Sequence, residues 1–237
     1  MKRLVVAVGA SIMMAAAAAS PALAQATPKP AFPGTPVISN PYLPMKPGVS
    51  LVYDGKVGGK PEHDVVTTLT QTKTITGIHC AVQKDTGWVS GVVVEITFDY
   101  FAQDTAGNVW YMGEYATQYA HGKPTGHEGS WQAGRNGAAG GIIMEAHPNV
   151  GDSYLQENYP GHALDAATVR STTTAVSVPI GTWIGNVLLT KEYSRLEPGQ
   201  IEHKYYVPGI GNVRAVQVLG KPSEYLNLTG IIFHAPH

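Results

Sequence analysis

The chain has 237 residues, with 16 Lys and Arg against 17 Asp and Glu, a formal net charge of −1. That balance, with no basic run anywhere, speaks against nucleic acid or an anionic membrane surface as a partner. One cysteine, Cys80, excludes an internal disulfide, so burial of apolar surface has to hold the fold.

The N-terminus reads as a targeting segment. Lys2 and Arg3 are followed by an apolar run from Leu4 to Ala19, and Ser20-Pro21-Ala22-Leu23-Ala24 supplies an A-x-A cleavage pattern. The apolar run is short of the roughly 20 residues a membrane span needs and ends in helix-breaking Ser-Pro. Residues 1–24 are therefore expected to be a signal peptide, and the protein to be exported, soluble, and periplasmic or extracellular. No later stretch is long and apolar enough to span a membrane.

Residues 25–47 hold seven prolines and show no periodic pattern. Proline fixes its own backbone, lacks a ladder donor and biases its predecessor toward extended forms. This is an extended leader, with Tyr42, Leu43 and Met45 expected to dock on the domain and the first half expected to be mobile.

From residue 48 onward the signal is β. Runs rich in Val, Ile, Thr and Tyr at 49–53, 64–72, 74–84, 91–103, 108–120, 141–145, 153–159, 167–178, 184–194, 201–207, 212–219 and 224–233 alternate with turn residues. Short connections imply antiparallel neighbours, hence an all-β meander that closes as a barrel or folds as a sandwich over 48–237. Gly161 to Thr168 is the single helical candidate.

The stretch "FDYFAQDTAGNVWYMGEY" (98–115) surrounds one turn with aromatic rings and carboxylates. Thr105-Ala106-Gly107 suits a turn closed by a left-handed glycine, which sets Asp104 opposite Asn108, Ala102 opposite Trp110, Phe101 opposite Tyr111 and Asp99 opposite Gly113. A slip of one residue exchanges faces and sets Asp99 across from Glu114. In either register Glu114 lies on an aromatic-lined face. A carboxylate there is costly unless paired or protonated, and desolvation moves it toward acid–base work. Tyr100, Trp110, Met112 and Trp131 are the expected wall of a pocket around it.

Two further stretches carry polar chemistry. "GSWQAGRNGAAGG" (129–141) is a glycine-rich loop in which Arg135 is a possible anion contact; it runs into a strand rather than into Lys-Ser/Thr and a helix, so it is not a phosphate loop. "QENYPGHALD" (156–165) gathers Gln156, Glu157, His162 and Asp165 around Pro160-Gly161, where a turn beside a strand end can present catalytic groups or simply be a polar hairpin. The nine histidines form no H-E-x-x-H pattern, and no G-x-S-x-G occurs. No metal and no cofactor are expected. Cys80, in a strand-like run, reads as a small buried apolar residue.

"VSVPIGTW" (176–183) followed by "EHKYYVPGIGNV" (202–213) resembles a pattern in an uncharacterised family of exported bacterial β-rich proteins, in which V-x-V-P-x-G-T-F precedes Y-Y-x-x-G-V-G. "NPYLPMKPG" and "FAQDTAGNVWYMGE" add to the likeness, which spans about residues 40–220. Trp183 stands where the pattern has phenylalanine, and His162 where an acidic residue is expected. The resemblance implies export and an all-β fold, and it hands over no catalytic residue.

Two functional readings follow. In the first, the domain binds a small, partly apolar or aromatic ligand, with Glu114 orienting it. In the second, the same pocket is a cofactor-independent hydrolase, lyase or isomerase in which Glu114 or Asp99 works with Glu157 or His162. A structural envelope protein is the remaining alternative.

Overall fold

Period-two alternation of buried and exposed side chains dominates the chain, and it builds one antiparallel sheet. The computed structural model describes residues 30 to 235; the expected signal peptide lies outside them. In chain order the strands are β1 (Val49–Val57), β2 (Lys60–Ile75), β3 (Ile78–Val89), β4 (Val92–Gln103), β5 (Val109–Ala120), β6 (Lys123–Gly126), β7 (Trp131–Gln132), β8 (Ala139–Met144), β9 (Ser153–Leu155), β10 (Glu157–Asn158), β11 (Asp165–Val178), β12 (Gly181–Ser194), β13 (Ile201–Val207), β14 (Gly211–Leu219) and β15 (Glu224–Phe233). There is no helix among the described residues: the candidate at 161–168 is a turn followed by the start of β11. Ala166, Ala167 and Val169 are buried there, and the ladder to β12 overrides any weak local helical preference.

The strand order is β10-β8-β5-β4-β3-β2-β1-β15-β14-β13-β12-β11-β9, so the first and last strands are hydrogen-bonded neighbours. β9 pairs with β11 through Tyr154↔Ala167, and β10 pairs with β8 through Glu157↔Gly140. Because only Gln156 separates β9 from β10, residues 153–158 join the two ends of the sheet, which all but closes into a barrel. Gly141 on β8 permits that junction: a Cβ there would lie 2.4 Å from the Gln156 carbonyl oxygen and 2.6 Å from that of Leu155.

Two turns decide the registers that matter below. The run read as one strand at 74–84 is broken at Thr76-Gly77, where both residues have positive φ (50° and 84°) and Ile75 pairs with Ile78. At 104–108 the expected turn forms: Asp104 N donates to Asn108 O at 2.9 Å, and the Asp104 carboxylate accepts from the Ala106 and Asn108 amides and from Trp110 Nε1.

The inner face of the sheet carries more polar groups than an ordinary core. Along β2 from Glu62 to Thr68 the buried positions are Glu62, Asp64, Val66 and Thr68, with half-buried Val65 and Thr67 on the other side. An apolar cluster on Tyr53, Val66, Val187, Val207, Val213 and Leu228 fills one region. A second contains Phe101, Tyr111, Met112, Trp131, Met144 and Leu188. The leader is pinned to this second region earlier than expected. Thr105 N donates to Ala31 O at 2.8 Å, and the Phe32 ring meets Trp110 edge-on. Ile38 bridges Met45, and buried Asn40 donates to the Gly107 and Glu145 carbonyls.

Candidate functional site

The β4–β5 hairpin contains both registers weighed from its sequence. Next to the turn the pairs are Ala102↔Trp110 and Phe101↔Tyr111; beyond a bulge at Met112 they become Tyr100↔Gly113, Asp99↔Glu114 and Phe98↔Tyr115. In a regular strand residues three apart point to opposite faces. The extra residue puts Tyr111 and Glu114 on the same, inner face. Gly113 makes this possible, with φ of 134° and β7 crossing so closely that a Cβ would lie 2.4 Å from Trp131 O. β7 then sets Trp131 directly across from Glu114.

The result is a row of buried side chains across the inner face, Thr68–Gln83–Asp99–Glu114–Trp131, one from each of β2, β3, β4, β5 and β7. The Tyr111 hydroxyl lies 2.5 Å from Asp99 Oδ1 and 2.9 Å from Glu114 Oε2. The Tyr111 ring stacks on Phe101 at 5.0 Å and meets Trp131 edge-on at 5.4 Å. Trp131 Nε1 donates to Glu157 Oε1 at 3.2 Å, which brings the closing segment into the group. Three carboxyls, a tyrosine and a tryptophan thus converge from four strands.

Burial raises the pKa values here. It pushes Asp99 up to about 7, and nearby Asp85 and Glu95 add to it while the bond to Tyr111 opposes. Burial also holds Glu114 well above the usual carboxylate range, with Glu157 and Asp99 reinforcing it. Tyr111 is raised by burial and then by Asp99, Glu114 and Glu157. The group suits hydrogen-bond donors and proton exchange near neutral pH.

A second inner-face group went unread in the sequence. Lys204 Nζ donates to Glu192 Oε2 at 2.7 Å and lies 3.2 Å from Glu202 Oε2; Tyr206 and Thr190 hydroxyls both donate to Glu192 Oε1. Burial alone would raise Glu192, yet Lys204 and these donors hold it below its ordinary value. This is a satisfied ion pair. Its signal was Glu202, Lys204 and Tyr206 at period two in "EHKYYV", which puts all three on one face.

Of the residues expected to form one site, Asp99, Glu114, Glu157 and Trp131 come together. Tyr100 and Trp110 lie on the opposite face of the hairpin, under Lys73 and against Phe32 respectively, and Met112 occupies the bulge. His162 is exposed and stacks on Tyr159 at 4.2 Å, and Arg135 is exposed in the turn between β7 and β8. Cys80 is buried, its thiol pushed up to about 11 by that burial. No group of three or more potential metal ligands occurs among the described residues, and no helix among them is long and apolar enough to cross a membrane.

No protein-family model matches the chain, and no curated protein matches it. Among solved structures it is similar to a Bacteroides fragilis protein described as exported with a YmcC-like fold, at 16% identity and a TM-score of 0.46, over 81% of this chain and 98% of that one. It is also similar to a Parabacteroides distasonis protein described as a lipoprotein, at 12% identity and a TM-score of 0.35, over 81% and 98% of the two chains.

Proposed function

We propose that this is an exported β-barrel protein that holds a small, partly apolar or aromatic ligand against its inner face, with Glu114, Asp99 and Glu157 orienting it. The observation that carries the reading is the convergence of three buried carboxyls with the rings of Tyr111 and Trp131 on one face. Binding sites combine apolar and aromatic walls with a few convergent polar groups, and this cluster has that make-up. Its polar members are rich in acceptors, so the ligand offers donors, such as hydroxyl, amide or amine groups, beside its apolar part. Export rests on the charged start, apolar run and Ala22-Leu23-Ala24 end of the leader.

The catalytic alternative built on a carboxylate with His162 has less support, because His162 is exposed and packs on Tyr159. A thermal-shift screen tests the binding reading, with sugars, aromatic acids, amines and other metabolites added to wild type and to Glu114→Gln. The expected hit raises the wild-type Tm, by about 2.7 kcal/mol of added stability at a hundredfold excess over Kd, and loses most of that effect in the variant. A set of hits that stabilise both proteins equally would place binding elsewhere and overturn the assignment.

A further inference from the structure

We propose that Asp99 and Glu114 share one proton through the Tyr111 hydroxyl, and that this proton makes the β4–β5 hairpin a pH-sensitive joint of the barrel. A count of hydrogens supports it. A tyrosine hydroxyl has one hydrogen to donate, yet it sits 2.5 Å from one carboxyl oxygen and 2.9 Å from another. If Tyr111 donates to Asp99, the Glu114 contact is a full, unshared hydrogen bond when Glu114 is protonated and donates to the tyrosine oxygen. The converse assignment exchanges the two acids and leaves the count unchanged.

The sheet adds to the case. Asp99 and Glu114 are directly opposed partners across the two strands, and like charges at opposed positions repel. Both side chains are buried, at 0% and 5% exposure, where water does not screen them. The charged and titratable groups turned toward the pair are Asp85 on β3, Glu95 on β4, Tyr111 on β5 and Glu157 on β10. Lys73 lies over Tyr100 on the other face, and Lys204 is held by Glu192 and Glu202. A second negative charge in the pair therefore meets acids, and the proton that prevents it stitches the strands together beyond the bulge.

The sign follows from linkage. A carboxyl that keeps its proton in the fold but loses it in the unfolded chain binds more protons when native, so stability falls as pH rises from the ordinary carboxylate range, near 4, through the folded value. Raising the pH past neutrality loosens the hairpin at its bulge. The proposal concerns the ligand-free protein and stands apart from the binding reading.

The deciding experiment has two measurements. Carbon NMR of the Asp and Glu carboxyls, followed from pH 4 to 9 in wild type, should show one of the two carboxyls still protonated at pH 7. Thermal melts without ligand should show the wild-type Tm falling by about 5 °C or more between pH 5 and 8. In Glu114→Gln, where a neutral amide replaces the protonated acid, the fall should be less than half as large. Both carboxyls titrating near 4, or parallel pH profiles for the two proteins, would overturn the proposal. Should the variant fail to fold, the wild-type NMR titration decides alone.

Discussion

At the scale of single residues, Gly113 governs the site more than any acid in it. Its φ of 134° is open to glycine and strained for other residues, and the β7 backbone occupies the space a Cβ would need. Gly113→Ala should cost roughly 2–4 kcal/mol in urea denaturation, because backbone rather than a flexible side chain must move. Gly137 is the fair control. Its φ is also positive, at 83°, but nothing lies within 4 Å of an added Cβ, so Gly137→Ala should cost about 1–2 kcal/mol, the left-handed penalty alone. Equal losses in the two variants would show that the strand crossing at Gly113 is not rigid.

At the scale of elements, the closing segment is the weak seam and Gly141 its fastening. Strands β9 and β10 are three and two residues long, so few ladder bonds hold them. Gly141→Ala drives a methyl into the Gln156 and Leu155 backbone. Hydrogen exchange should then show 153–158 losing protection first while the β2–β3 hairpin keeps its own. Simultaneous loss in both would mean that the barrel opens only as a whole. The same scale explains what could be read from the sequence. Long strands such as β4, β5 and β15 announced themselves by β-branched and aromatic alternation, and the 104–108 turn by its glycine. The bulge could not be read, because both registers satisfy the local pattern; contact with β7, some 20 residues on, chooses between them. Thr76-Gly77 hid inside an unbroken β-branched run. Tyr100 and Trp110 lie on the face opposite the acids for a related reason: the face they share is taken by Lys73 and the leader. Glu114 and Asp99 were legible as acids among rings, whereas Glu157 and Trp131 joined them only through closure of the sheet.

At the scale of the whole molecule, two buried acidic groups act on stability with opposite signs. Asp99 is raised to about 7, and stability from it falls as pH rises from near 4 to that value. Glu192 is lowered by Lys204, and the stability it contributes is present above the ordinary carboxylate range and lost as pH falls below it. The stability curve should therefore peak on the mildly acidic side of neutrality. Lys204→Met should remove the acid limb and cost about 3–5 kcal/mol at pH 7, since it leaves a buried carboxylate without its cation. Denaturant melts across pH 3 to 9 check both statements; an unchanged acid limb in the variant would assign acid sensitivity to other groups.

The pairing of β1 with β15 has a temporal consequence. Val49 pairs with Phe233, so the second edge of β1 is covered only once a strand more than 180 residues away in sequence is in place. A polypeptide made from its N-terminus cannot complete this sheet part-way. The β1–β15 seam is thus a long-range contact that forms late, after the local hairpins of β2 to β5.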